Sequence, residues 1–156
     1  MAGSLTYTKG DATAPEPRPA IIAHVCNDEG AWGKGFVMAL SDKWSAPEQA
    51  YRDWYASGEG FALGAVQVVE VEDGLCVANI IGQHGIRPQG PVPPIRYEAI
   101  EAGLCEVAKR AADQGASVHM PRIGAGLAGG SWEKIEPLIE KCLVEAGVDV
   151  TVYDLP

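Results

Sequence analysis

The segment Ala20-Ile21-Ile22-Ala23-His24-Val25-Cys26 is apolar almost without interruption. A strand with one solvated face alternates apolar and polar residues, so this run reads as a strand buried on both faces. Such a strand belongs to a sheet covered by helices on both sides. The flanking segments agree with that reading. Leu5 to Thr8 reads as a short strand closed by Lys9-Gly10-Asp11, and Ala12 to Pro19, with three prolines, as a loop. Phe36 to Leu40 with Trp44 has helical spacing, and a second helix is expected from Pro47 to about Ser57. Ala65 to Val71 and Leu75 to Ile81, joined by Glu72-Asp73-Gly74, form a hairpin. Ile95 to Gln114 is the clearest helix, with Tyr97, Ile100, Leu104, Val107, Ala108 and Ala111 on one face and Gly115 as its C-cap. Ser117 to Met120 and Val148 to Tyr153 are expected strands. Between them Ser131 is expected to N-cap a helix carrying Ile135, Leu138, Ile139 and Cys142, with Pro137 offsetting its first turn or tightening it to 3₁₀ form. Alternating strands and helices with one hairpin define an α/β class, a mixed sheet between two helix layers, and the length predicts one domain over 1–156.

Charge narrows the functional classes. Against 21 Asp and Glu the chain has 12 Lys and Arg, a net charge of -9. A domain that wraps a nucleic-acid backbone needs a basic face, so that class is excluded. An anionic ligand would have to be held by local dipoles. The N-terminal residues show no basic stretch followed by an apolar run, and no run approaches a membrane span, so a cytoplasmic protein with no membrane partner is expected. Cys26, Cys76, Cys105 and Cys142 lack C-x-x-C spacing and read as buried reduced thiols, with no metal site and no cofactor expected.

Three strands run straight into glycine-rich or turn segments: Gly10-Asp11, Gly30 to Gly35, and Gly124 to Gly130. The last two also precede helices. At the carboxyl ends of strands in an open α/β sheet, glycines let backbone N–H groups approach a phosphate at a helix N-terminus. Gly82 to Pro94, rich in glycine and proline, reads as an irregular functional loop. Gly124, Gly126 and Gly129 spell G-x-G-x-x-G, but a dinucleotide fold would need more parallel strands after them than remain. The P-loop fails at Asp28 and Gly35.

Gly10-Asp11 after an N-terminal strand, His24-Val25-Cys26-Asn27 leading into Gly33-Lys34-Gly35-Phe36, and Met120 to Leu127 together resemble a macrodomain. More narrowly they resemble the subgroup containing the terminal ADP-ribose protein glycohydrolase and the yeast ADP-ribose-1''-phosphate phosphatase. The resemblance runs from Leu5 to Leu155, and Pro121-Arg122-Ile123-Gly124-Ala125-Gly126-Leu127 is its most specific part. It implies a three-layer α/β/α sandwich that binds ADP-ribose and ADP-ribosylated proteins. Asp11 takes the place of the acid that binds the adenine amino group, with Gly10 and Ala12 near the base. Asn27 falls near the distal ribose, and Ala23 and His24 on the preceding strand are counted with the ligand-binding residues. Gly33, Lys34, Gly35 and Phe36 match the loop around distal ribose and diphosphate. Pro121, Arg122, Ile123, Gly124, Ala125, Gly126 and Leu127 match the second phosphate loop, and Tyr153 is placed beside the adenosine.

Two positions depart from the family. Where the resemblance implies a catalytic lysine and aspartate, this chain has Gln83 and Ala128. Without the amine no Schiff base can form, so a hydrolase here must activate water. The candidates are Asn27 as an orienter of water or ribose, Asp28 as a base, and the Gln83-His84 pair, since imidazole suits proton transfer near neutrality. The expected activity is removal of ADP-ribose from glutamate or aspartate esters on protein. A non-catalytic reader of ADP-ribose and an ADP-ribose-1''-phosphate phosphatase are the alternatives, with a nicotinamide dehydrogenase behind them.

Overall fold

A computed structural model of the chain describes residues 2–126 and 128–155. Six strands form one sheet: β1 (Leu5–Lys9), β2 (Ala20–Asn27), β3 (Val66–Glu72), β4 (Leu75–Gln83), β5 (Ser117–Met120) and β6 (Val150–Asp154). Their spatial order is β1-β6-β5-β2-β4-β3, with every neighbouring pair parallel except the β3–β4 hairpin. The helices are α1 (Phe36–Lys43), α2 (Ala46–Ser57), α3 (Tyr97–Gln114) and α4 (Trp132–Ile139), the last continued by a π-helical turn over Glu140–Val144.

The apolar run in β2 is central and feeds two cores. Ile21 and Ala23 belong to the cluster built with Ile100, Leu104, Ile135 and Ile139 of α3 and α4. Ala20, Ile22 and Cys26 belong to the cluster with Leu40 of α1 and Tyr51 of α2. Alternate side chains of one strand thus enter opposite layers, which is why no polar alternation shows in the sequence. The sheet lies between α1 and α2 on one face and α3 and α4 on the other.

Several local expectations change. Gly82 is not in a loop: β4 continues through it to Gln83, and a Cβ on Gly82 would lie 2.9 Å from side-chain atoms of both Val25 and Ile100. Helix α3 begins at Tyr97, because the Ile95 N–H donates to Ala128 and the Arg96 N–H to Gly82, both outside the helix. Ser131 holds the N-cap position of α4 without a side-chain cap bond, and its N–H donates to the Tyr97 hydroxyl. The first turn of α4 is α-helical, and the irregularity near Pro137 is instead the π turn that follows it. β6 starts at Val150 rather than Val148. Cys105 is exposed, unlike the other three cysteines.

Trp32 has a settled place. It is buried, stacks at a tilt on Tyr51, meets His24 edge-on, and donates its indole N–H to Ser41. It packs between the α1–α2 layer and the sheet.

Candidate ligand-binding site

The parallel strands all end at one edge of the sheet, and connections leave β2 and β5 toward opposite faces there. A crevice at such a point is where open α/β sheets bind ligands. A cleft of about 260 Å³ occupies it. One wall is Lys34, Gly35, Phe36 and Val37 at the start of α1. The other is Pro121 to Gly124 with Gly126 and Ala128, and His24, Val25 and Gln83 come from the strand ends. No Asp or Glu lines it among the described residues. In a chain of charge -9 that is a marked local departure.

The α1 wall is a helix N-terminus. Gly35 enters the helix with φ of 82°, a left-handed conformation costly for a side chain with a Cβ. The first amides of a helix have no intrahelical acceptor, and Phe36 and Val37, which open α1, line the cleft. The opposite loop closes on itself: the Gly130 N–H donates to Gly124 at 2.8 Å and the Gly129 N–H to Gly126 at 3.0 Å. A Cβ on Gly130 would lie 2.4 Å from the Gly124 carbonyl oxygen, so this position admits only glycine.

Around the cleft, hydrogen bonds fix the supporting loops. The Asn27 carboxamide accepts from the Glu29 and Ala31 N–H groups and donates to the Ala31 carbonyl, and the Tyr51 hydroxyl donates to the Asn27 carbonyl at 2.6 Å. Its side chain is therefore committed to shaping the 28–33 loop. Asp11 accepts from the Thr13 N–H and hydroxyl at 2.8 and 2.6 Å, with the Lys43 ammonium 3.7 Å away. The Thr13 hydroxyl, foremost, holds the Asp11 carboxyl below the usual carboxylate range. Gly10 donates its N–H to the Asp154 carbonyl, while the Asp154 carboxylate takes a two-pronged hydrogen bond from Arg122 at 2.7 and 3.0 Å. Asp154 thereby joins the Asp11 turn to the loop after β5. The Arg122 guanidinium lies 5.1 and 5.2 Å from the ring centres of Tyr7 and Trp132. Its charge is spent on Asp154, leaving the loop to act through backbone groups.

Tyr153 hydrogen-bonds His119 at 2.7 Å, and His119 also reaches Ser117, so the Tyr153 hydroxyl is used internally. A Cβ on Gly10 would sit 3.7 Å from the Tyr153 ring, which puts that ring under the Gly10-Asp11 turn. His24 donates Nε2–H to Asn79 and is buried, and burial pushes its ring down to about 4, so it stays neutral. Burial also pushes the Cys26 thiol well up, making it inert.

Of the residues anticipated from sequence, His24, Lys34, Gly35, Phe36, Gln83, Pro121, Arg122, Ile123, Gly124 and Gly126 line the cleft together. Ala23 is fully buried in the α3-side core, and Val25, two residues nearer the strand end, lines the cleft in its place. Gly10, Asp11, Ala12 and Tyr153 gather at the end of β1 and β6, where Ala12 is buried. Gly33 and Ala125 sit beside the cleft in chain order without lining it, and Leu127 lies outside the described residues. Asp28 and His84 bond to each other at the ends of β2 and β4. Sequence reasoning missed Asp154, Lys43 and Tyr51. Their roles depend on contacts far apart in the chain, and only the position of Asp154 at a strand end offered a signal.

Known structures place this arrangement. A macrodomain protein from Streptomyces coelicolor shares 53% sequence identity, with 98% of this chain and 100% of that chain covered and a TM-score of 0.87. This chain belongs to the macrodomain family. A protein of unknown function from Bacteroides thetaiotaomicron superposes on this macrodomain with a TM-score of 0.96 at 57% identity, covering 99% of this chain and all of the other. Among curated proteins, mouse chromodomain-helicase-DNA-binding protein 1-like is 30% identical over 98% of this chain. The macrodomain spans only 18% of that relative's length. Human ADP-ribose glycohydrolase OARD1 is 26% identical, covering 97% of this chain and 91% of its own. An ADP-ribose 1''-phosphate phosphatase from Lodderomyces elongisporus is 24% identical, covering 96% and 98%. No family model matches the sequence. Gln83 and Ala128, the positions where the resemblance implies a lysine and an aspartate, both line the macrodomain's cleft.

Proposed function

We propose that this macrodomain binds ADP-ribose and removes it from modified proteins by hydrolysing the ester to a glutamate or aspartate side chain. The observation that carries the reading is the acid-free cleft between a helix N-terminus and a self-closed glycine loop in a strongly acidic chain. Unpaired amides with Lys34 at the rim suit a diphosphate. A 260 Å³ cleft with open ends leaves room for ribose on either side. The names of the human and Lodderomyces elongisporus relatives, an ADP-ribose glycohydrolase and an ADP-ribose 1''-phosphate phosphatase, support a ligand of this kind. An ADP-ribosyl ester is activated, since its leaving group is a carboxylate, so water positioned in the cleft suffices without a covalent nucleophile.

A second reading, a non-catalytic reader of ADP-ribose, is favoured by Gln83 and Ala128, neither of which can act as nucleophile or base. Incubation with glutamate-ADP-ribosylated protein and, separately, with ADP-ribose-1''-phosphate distinguishes the readings by release of free ADP-ribose or of phosphate. Ester turnover is expected. Turnover of neither substrate leaves the reader, and turnover of the phosphate alone makes the protein a phosphatase. If ADP-ribose fails to raise the melting temperature, the ligand itself is wrong.

A further inference from the structure

We propose that Asp28 and His84 form a paired general base that activates water at the Gln83 end of the cleft. This rests on the hydrolase reading above and supplies its missing catalytic group. β2 and β4 end side by side, with Asn27 paired to Gln83 and the Asp28 N–H donating to the Gln83 carbonyl at 3.1 Å. The next residue on each chain is thereby brought together. His84 donates Nδ1–H to Asp28 Oδ2 at 2.7 Å, and the Gly85 N–H donates to Asp28 Oδ1 at 2.7 Å. Both carboxylate oxygens are engaged. Partial burial works to raise the Asp28 carboxyl, but the Gly85 N–H and the His84 ring outweigh it and hold it below its ordinary value.

An ionised Asp28 on Nδ1 fixes the tautomer of a neutral ring, so the lone pair lies on Nε2. Nε2 has no protein partner among the described residues, and the side chain is 48% exposed while that of Asp28 is 19% exposed. The ring is anchored from behind as well, because the His84 N–H donates to the Pro94 carbonyl. Gln83, directly before it, lines the cleft. From the loop after β2, Glu29 comes close to the pair: its Oε1 lies 3.1 Å from where a Cβ on Gly85 would sit.

In the step, water attacks C1'' of the distal ribose and the C1''–O bond to the side-chain carboxyl breaks with its electron pair. The proton lost by water ends on Nε2, and the products are ADP-ribose and a free carboxylate. Carboxylates are stable anions near neutrality, so the leaving group needs no acid and one base is enough. An alkoxide leaving group would need a second proton donor.

The test compares the wild type, His84→Ala, His84→Gln and Asp28→Asn on glutamate-ADP-ribosylated protein across pH, with ADP-ribose binding measured in parallel. His84→Ala and His84→Gln should each lose about 100-fold in rate, while still binding ADP-ribose. Added imidazole should restore part of the His84→Ala rate, and Asp28→Asn should be slowed with Nδ1 no longer held by a carboxylate. Wild-type turnover with His84→Gln equally fast overturns the pair as base and leaves the hydrolase reading standing. Rate and binding lost together without imidazole rescue reduce the pair to a tie between loops. A wild type that binds ADP-ribose but never releases it from protein overturns the hydrolase reading, and this proposal with it.

Discussion

Asp11 shows how one side chain can hold a turn and still offer an acceptor. Its Oδ1 is taken by Thr13, whereas Oδ2 has only the Lys43 ammonium at 3.7 Å. On the proposed function Oδ2 receives the adenine amino group. Replacing Asp11 with Ala should weaken ADP-ribose binding by roughly 10- to 100-fold, the size of a charge-assisted hydrogen bond. Isothermal titration would show it, and an unchanged affinity would remove Asp11 from the site. The placement of Asp11 after a short strand was legible because Gly-Asp ended an alternating segment. Lys43 was not legible: it reaches the Thr13 carbonyl at 3.1 Å from another helix, a contact that local spacing cannot encode. The same holds for Asn27. Read from sequence it is a polar residue next to a loop, but the Tyr51 hydroxyl 24 residues away makes it the loop's internal brace.

At the scale of elements, β4 and α3 approach closely enough to need two glycines. A Cβ on Gly103 would come within 2.4 Å of the Ile80 side chain, and one on Gly82 within 2.9 Å of Ile100. Both glycines are buried between strand and helix, so the helix seats on the sheet where side chains are missing. Gly103→Ala is expected to destabilise the protein by about 1–3 kcal/mol through overpacking, despite the better helix propensity of alanine. Denaturant unfolding measures this, and a gain in stability would show that α3 has slack. The helix itself was plain in the sequence because its apolar residues repeat with helical period and Gly115 ends it at φ of 63°. Gly82 was misread because glycine beside proline-rich residues looks like a loop, and the close packing that makes it part of a strand involves Ile100. The π turn after α4 had no counterpart in the periodicity, since one extra residue in a turn merely shifts the phase of the pattern.

For the whole molecule, the α/β/α layering was legible from β2 alone, but strand order was not. Nothing local states that β5 and β6 return to the far side of β2. Two histidines, His24 and His119, are buried neutral in this sheet, each pushed by burial down to about 4. The unfolded chain binds their protons near pH 6.5, so their stabilising contribution is complete above that pH. It is lost progressively as pH falls toward about 4. For His24 alone this amounts to about 3 kcal/mol at the acid end. Unfolding free energy measured at pH 7 and at successive steps down to pH 4 should fall across that window, ahead of the carboxylates, and a flat profile would contradict neutral burial.

The sheet's outermost strand carries a kinetic consequence. β1 pairs only with β6, in a register that joins Leu5 to Val150, 145 residues apart, and four of its five residues are exposed. Loop closure over such a separation delays the contact until most of the chain is in place. With little apolar area to hold it, this strand is expected to open at low cost from the folded state. The Asp11 turn hangs from its end, so the group proposed to meet the adenine is mounted on a strand that opens at low cost. Amide exchange would then proceed there by brief local opening, and a bound ligand bridging to the α1 side would act as the latch that slows it.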